Sequence, residues 1–290
     1  MAEAPTHLRW LLEVPDDQEE ALGSWLEGAG ASATYREADP PRDFFAYFPP
    51  GVQPDAAPLG RFRGVRMKSA VSFRDEDWLA KSREGFGSFE VGERFFIRPE
   101  WSDEAAPEGR IPITVNPGLA FGTGGHETTR LCRTLLEALA AEGRLAGPVL
   151  DIGAGTGILA LAAHLLGAEG ILAFDIAPDC GPAMEELIRR NEGQLRHAHP
   201  FEAFVGGLED PRVARGAPYQ TLLANILLET IQDLLPGMVP LAAQGGLLGA
   251  SGILAEREDE ALVSLATHGF MPRRVAREGE WIAVLAEKAP

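Results

Sequence analysis

Three groups of residues in this chain are spaced as chemistry would require. Residues 149–157 read Val-Leu-Asp-Ile-Gly-Ala-Gly-Thr-Gly, an apolar run turning through Gly153, Gly155 and Gly157, with Asp151 two places before the first glycine. Without a β-carbon, glycine lets the backbone turn sharply and lets a ligand lie against it. The apolar run that follows, 158–167, reads as a helix whose first N–H groups and dipole face an anionic or carboxylate-bearing group. A second strand, Gly170–Asp175, ends in a carboxylate where α/β nucleotide-binding domains hold two ribose hydroxyls. Third, Asn225 interrupts the apolar strand read over 220–228. An amide is poorly suited to a buried parallel strand, so its place near the carboxyl end argues that it faces a site. Together these residues describe a nucleoside site.

The glycine spacing is D-x-G-x-G-x-G, not the G-x-G-x-x-G of dinucleotide folds. It resembles the first motif of class I S-adenosylmethionine-dependent methyltransferases. Upstream, a strand from Ile111 runs into a loop with Gly122, Gly124 and Gly125, then into a helix opening near His126 and carrying Leu131, Leu135, Leu136 and Leu139. Such local flexibility beside hydroxyl and imidazole groups reads as a lid over the cofactor. His126, alone at a helix start, reads as a cap or packing residue before a catalytic base.

Charge and cysteines narrow the partners. Against 26 basic residues stand 43 acidic ones, a net charge of −17. So acidic a surface has little counterion release to gain from a phosphate backbone, which opposes direct nucleic-acid reading and favours a basic partner. Cys132 and Cys180 have no metal-ligand spacing, so neither a metal site nor a disulfide framework is implied, and the compartment reads as a reducing cytoplasm. No apolar run approaches membrane-spanning length, and residues 1–15 lack a signal-peptide pattern. Nothing demands more than a monomer.

The elements that position these groups fall into an α+β module and an α/β domain. A strand over 7–14, a helix with Ala21, Leu22, Trp25 and Leu26 at helical spacing, and strands at 34–36 and 44–48 make an N-terminal module, residues 1–73. Residues 74–84 read as a charged helical connector and 89–99 as strand-turn-strand, so 74–101 forms a link. The α/β domain spans 102–290: strands at 149, 170, 201, 220 and 245, helices between them, irregular sequence over 193–218, and a closing hairpin of 270–276 with 281–287. That hairpin resembles the methyltransferase sheet, whose last strand is inserted antiparallel.

Residues 116–129, 150–160, 224–227 and 251–254 then appear in order and at matching distances, with Asp77-Trp78, Arg98-Pro-Glu-Trp101 and Gly279-Glu-Trp281 in support. Together they resemble the bacterial methyltransferases of large-subunit ribosomal protein eleven, the PrmA family. The resemblance implies a Rossmann-like class I sheet preceded by a ferredoxin-like substrate-recognition domain that swings on its linker. It implies methyl transfer from S-adenosylmethionine to lysine and N-terminal amines of that ribosomal protein, free or on the ribosome. Carried onto matching positions, the cofactor contacts are Phe121, Gly122, Thr123, Thr129, Gly153, Gly155, Asp175 and Asn225. Asn225 is also the residue expected to orient the amine. Four places depart from the family pattern: Asn116 for Asp, Gly125 and Glu127 for the Thr and Pro of Thr-His-Pro, Ala177 for Asp, and Gly207 for the Asp of Gly-Asp-Leu, a carboxylate that helps to frame the adenine.

Methyl transfer to nitrogen needs alignment and a neutral amine, which the Asn225 amide or a neighbouring carbonyl would orient with no dedicated base. The rivals are a methyltransferase of another protein, small molecule or nucleobase, an interaction module that keeps the cofactor without catalysis, and an NAD-dependent oxidoreductase. Asn-Ile-Leu at 225–227 lacks the Pro-Pro-aromatic continuation expected for gripping a flat base, which argues against the nucleobase.

Overall fold

The structure is a computed structural model that describes residues 6–15, 18–31, 33–36, 43–74, 87–116, 126–196 and 198–289. The chain divides into two compact units, Met1–Gly85 and Phe86–Pro290. The strands read at 89–99 as part of a link lie inside the second unit. The expected connector helix lies, from residue 75 on, outside the described residues.

In the first unit, β1 (Thr6–Glu13), α1 (Glu19–Gly28), β2 (Ala33–Arg36), β3 (Phe44–Phe48) and β4 (Arg66–Arg74) build an antiparallel sheet in the order β2-β3-β1-β4. This is the ferredoxin-like order, with a 3₁₀ turn at Ala57–Arg61 where a second helix would stand. Alternation buries Trp10, Leu12, Phe44, Ala46 and Phe48 with Leu22 and Leu26 of α1. The strand β4 was not anticipated. Its basic residues Arg66 and Lys68 mask an edge strand, where charge discourages pairing with other chains.

The second unit opens with a small sheet: β5 (Phe89–Val91), β6 (Phe95–Pro99) and β7 (Ile111–Val115), with β6 and β7 parallel. Its apolar faces join the core under α2 (Glu127–Ala141). Asn191, 1% exposed, locks β7 in place: its Nδ2 donates to Thr114 O at 2.9 Å and its Oδ1 accepts from Thr114 N at 2.9 Å. β7 is therefore fixed at its carboxyl end.

The main sheet follows from β8 (Pro148–Ile152), α3 (Ile158–Leu166), β9 (Gly170–Asp175), α4 (Cys180–Arg190), β10 (Phe201–Val205), α5 (Pro211–Gly216), β11 (Tyr219–Asn225), α6 (Leu228–Leu241), β12 (Ala242–Leu254), α7 (Glu258–Thr267), β13 (Phe270–Glu278) and β14 (Trp281–Lys288). The order is β10-β9-β8-β11-β12-β14-β13, parallel through β12, with β14 antiparallel to both its neighbours. Composition explains the insertion. Residues 282–286 of β14 are buried without a break, as a strand covered on both faces requires, whereas β13 carries Pro272, Arg273 and Arg274 and takes the edge. Two expectations need correction. The short helix α5 stands in sequence read as irregular, and β11 stops at Asn225, because Leu228 already belongs to α6.

Candidate cofactor site

The site lies at the carboxyl ends of β8, β9, β10 and β11, beside the place where the chain order reverses between β8 and β11. A cavity of about 690 Å³ opens there, bordered by Ile152, Gly153, Phe174, Asp175, Ile176, Leu208, Glu209, Asn225, Ile226 and Trp281.

Two glycines make the floor possible. Gly153 has φ +70°, and a β-carbon on it would overlap Ile226 Cγ2; Gly252 has φ +82°, and its β-carbon would overlap Ile226 O and lie 2.8 Å from the carbonyl carbon. Only a residue without a side chain fits either position. Ile226 is thereby held between the turns after β8 and within β12, and Asn225 is fixed beside it. The turn is also stitched to β9, with Gly153 N and Ala154 N both donating to Phe174 O at 3.0 and 2.9 Å.

Asp175 and Asp151 take opposite roles. Asp175 Oδ2 accepts from Gly155 N and Oδ1 from Ala177 N, each at 2.9 Å. Each carboxylate oxygen keeps further acceptor capacity, and these two backbone hydrogen bonds orient the side chain. Asp151 points away from the cavity, 1% exposed, and its Oδ2 accepts from Ala160 N at 2.9 Å. It caps the third residue of α3 from the neighbouring strand, a service that Gly157 at the N-cap cannot perform. Burial, with the nearby Asp175 charge adding to it, pushes the Asp151 carboxyl up to about 7. Burial likewise raises the Cys180 thiol, beside Asp175, to about 11.

Asn225 ends β11 with Nδ2 3.5 Å from Thr129 Oγ1. Its Oδ1 is buried and accepts no hydrogen bond among the described residues. Thr129 is itself buried in the first turn of α2, one layer behind Asn225, while His126 and Thr128 border the cavity. His126 is the N-cap of α2: its Nδ1 accepts from Thr128 N at 3.3 Å and its ring meets Trp281 edge-on at 5.3 Å. Phe121, Gly122 and Thr123, together with the whole lid sequence 117–125, lie outside the described residues.

The structure thus brings Gly153, Gly155, Asp175, Asn225 and Thr129 together at one end of one sheet. Sequence reasoning missed Trp281, Leu208 and Glu209 as members of that site. Trp281 was visible as part of Gly279-Glu-Trp281, but nothing local said that the closing hairpin returns to the first turn of α2. Among the described residues no three His, Cys, Asp or Glu side chains gather as metal ligands.

A sheet of this order, with a glycine turn after its first strand, a carboxylate at the end of its second and an inserted antiparallel strand, defines a class I S-adenosylmethionine-dependent methyltransferase. Comparison with known proteins narrows the class. The family described as ribosomal protein L11 methyltransferase (PrmA) matches residues 60–289. Among relatives carrying that name, the protein of Pelobacter propionicus is 37% identical over 222 residues, 74% of this chain and 68% of its own. That of Geobacter metallireducens is 32% identical over 282 residues, 90% of each chain. The crystal structure of a ribosomal protein L11 methylase from Lactobacillus delbrueckii subsp. bulgaricus, 29% identical, superposes with a TM-score of 0.60, covering 71% of this chain and all of that one. This chain belongs to the ribosomal protein L11 methyltransferase family.

Proposed function

We propose that this protein transfers methyl groups from S-adenosylmethionine to amino groups of large-subunit ribosomal protein L11, at lysine side chains and at the N-terminal amine. The observation that carries the reading is Asn225 Oδ1, a buried carbonyl oxygen with no donor among the described residues, at the edge of the cavity that Asp175 borders. An orphaned acceptor of this kind costs about 1–3 kcal/mol, which an incoming N–H relieves. A cofactor amino group and a substrate amine are both donors of that kind.

The residues present fit the cofactor. Asp175 offers oriented acceptors for the ribose, Gly153 leaves room for a ligand against the backbone, and Ile152, Phe174, Ile176 and Leu208 supply apolar surface for a base. Gly155 fixes Asp175, and Thr129 supports Asn225. Bound S-adenosylmethionine supplies an electrophilic methyl group. The protein's own part is to bind, align and dry the reactants. A lysine ammonium, with an ordinary pKa of about 10.4, loses stability on entering this apolar cavity and sheds its proton to water. Asn225 Oδ1 accepts one N–H of the neutral amine and so aims its lone pair. His126 does not serve as base, because Nδ1 is engaged with the first turn of α2.

On this reading the protein acts as a monomer in the cytoplasm, takes L11 free or on the ribosome, and reads no nucleic-acid bases. The module of residues 1–73 recognises the substrate. The net charge of −17 favours a basic protein partner. The test is transfer from labelled S-adenosylmethionine to purified L11, followed by intact mass and peptide mapping. A ladder of methyl additions on lysines and the N-terminus is expected. Absence of transfer in a protein that binds the cofactor would sink the substrate assignment.

A further inference from the structure

We propose that Glu209 is a specificity-determining residue for the base of the cofactor, its carboxylate receiving the 6-amino group of adenine. The inference rests on the S-adenosylmethionine reading of the cavity and deepens it. Adjacent strand ends stand about 5 Å apart in a sheet. The ends of β8, β9 and β10 therefore form a row: the turn at Gly153, then Asp175, then Gly206-Gly207. A ribose held on Asp175, with Asn225 on the β11 side, places the base outward over the end of β10. There Gly206 N donates to Asp175 O at 2.9 Å, which ties the β10 turn to the strand that carries the ribose carboxylate.

Phe174, Ile176 and Leu208 line this end of the cavity with apolar surface for a flat ring. Two carboxylates follow Leu208 in sequence. Asp210 is committed: Oδ1 accepts from Arg212 N and Nε, and Oδ2 accepts from Arg212 Nη2, all at 2.9 Å. Glu209 borders the cavity and has no hydrogen-bond or ion-pair partner among the described residues. Its carboxylate folds back over Gly207. A β-carbon built on Gly207 would overlap Oε2 and lie 2.7 Å from Oε1 and 2.8 Å from Cδ. The glycine where a carboxylate was expected thus makes room for one reaching back from two residues further on. A carboxylate only accepts hydrogen bonds, and the 6-position of adenine only donates them. A 6-oxo purine would present an oxygen to the same carboxylate and be repelled.

The experiment is calorimetry on the full chain with three ligands: S-adenosylhomocysteine, its congener with hydrogen at the purine 6-position, and its 6-oxo congener. In Glu209→Ala, affinity for S-adenosylhomocysteine should fall about three- to tenfold, as for one hydrogen bond to a charged group at a water-exposed edge. The 6-hydrogen congener should bind both proteins alike. Gly207→Ala, which displaces the carboxylate without removing it, should reproduce the selective loss, and Glu209→Gln should improve binding of the 6-oxo congener. Equal losses for all three ligands, or none for any, would overturn the assignment while leaving the cavity reading standing. Failure of the wild-type protein to bind S-adenosylhomocysteine would overturn both.

Discussion

The two halves of the main sheet are built for different tasks. From β8 outward through β9 and β10, the carboxyl ends carry glycine turns and carboxylates: Gly153, Asp175, Gly207 and Glu209. From β11 through β12 and β14, the corresponding region carries one amide, Asn225, on a frame of buried apolar strands, with β13 as the edge. Side chains of β14 from Ile282 to Ala286 are covered on both faces, and Ser251 Oγ is spent on Ile282 O at 2.9 Å. The first half presents groups to a ligand. The second makes one group immovable. The seam between them is Ile226, held between Gly153 from one half and Gly252 from the other.

The largest expected effect comes from breaking that seam. Gly252→Ala forces a β-carbon into the carbonyl of Ile226 at φ +82°, and we expect destabilisation of about 3 kcal/mol. In a unit of this size that is about 6–12 °C in melting temperature, readable by calorimetry. An unchanged melting temperature would show that the seam yields freely.

Next is Asp175→Ala, which acts on the presenting half alone. Loss of two charge-assisted hydrogen bonds to the ribose should weaken S-adenosylhomocysteine binding about 100-fold. A variant that binds within a few-fold of wild type would move the ribose away from Asp175.

Asn225→Ala tests the other half. Turnover on L11 should drop about 10- to 100-fold while affinity for S-adenosylhomocysteine falls only a few-fold. Full turnover would remove Asn225 from the reaction.

The smallest effect concerns the carboxylate turned away from the ligand. Burial holds the Asp151 carboxyl near 7, against about 3.9 in an unfolded chain. Between those values the folded protein keeps a proton that the unfolded chain has released, so stability falls as pH rises from about 4 to about 7 and then levels. Asp151→Asn keeps an acceptor for Ala160 N and removes the titration. The fall in melting temperature between pH 5 and pH 8 should shrink by a few degrees. An unaltered slope would mean that Asp151 is ionised in the fold throughout that range.

Much of this architecture could be read locally. The closing hairpin of 270–276 with 281–287 was legible as two strand-like runs, and its antiparallel insertion followed from the resemblance to the methyltransferase sheet. The Asp210-Pro211 pair that opens α5 was a legible helix start, overlooked because the helix is so short. The strand β4 was obscured because edge strands protect themselves with the basic residues that made 66–74 look like a connection.

What the sequence determined by itself was the grammar of strand, glycine turn and helix, the positions of Asp175 and Asn225, and membership of the family. The first two depend on residues within a few places of one another, whose steric and hydrogen-bonding preferences act along the chain, and the last on the order and distances of several such short motifs. Only the tertiary structure decided that Asp151 caps Ala160 instead of facing a ligand, that Trp281 meets His126, that Asn225 Oδ1 has no donor among the described residues, and that Glu209 lies over Gly207. Local preference is silent on these because each is set by which backbones the packed sheet brings together and by which polar atoms that packing leaves unpaired.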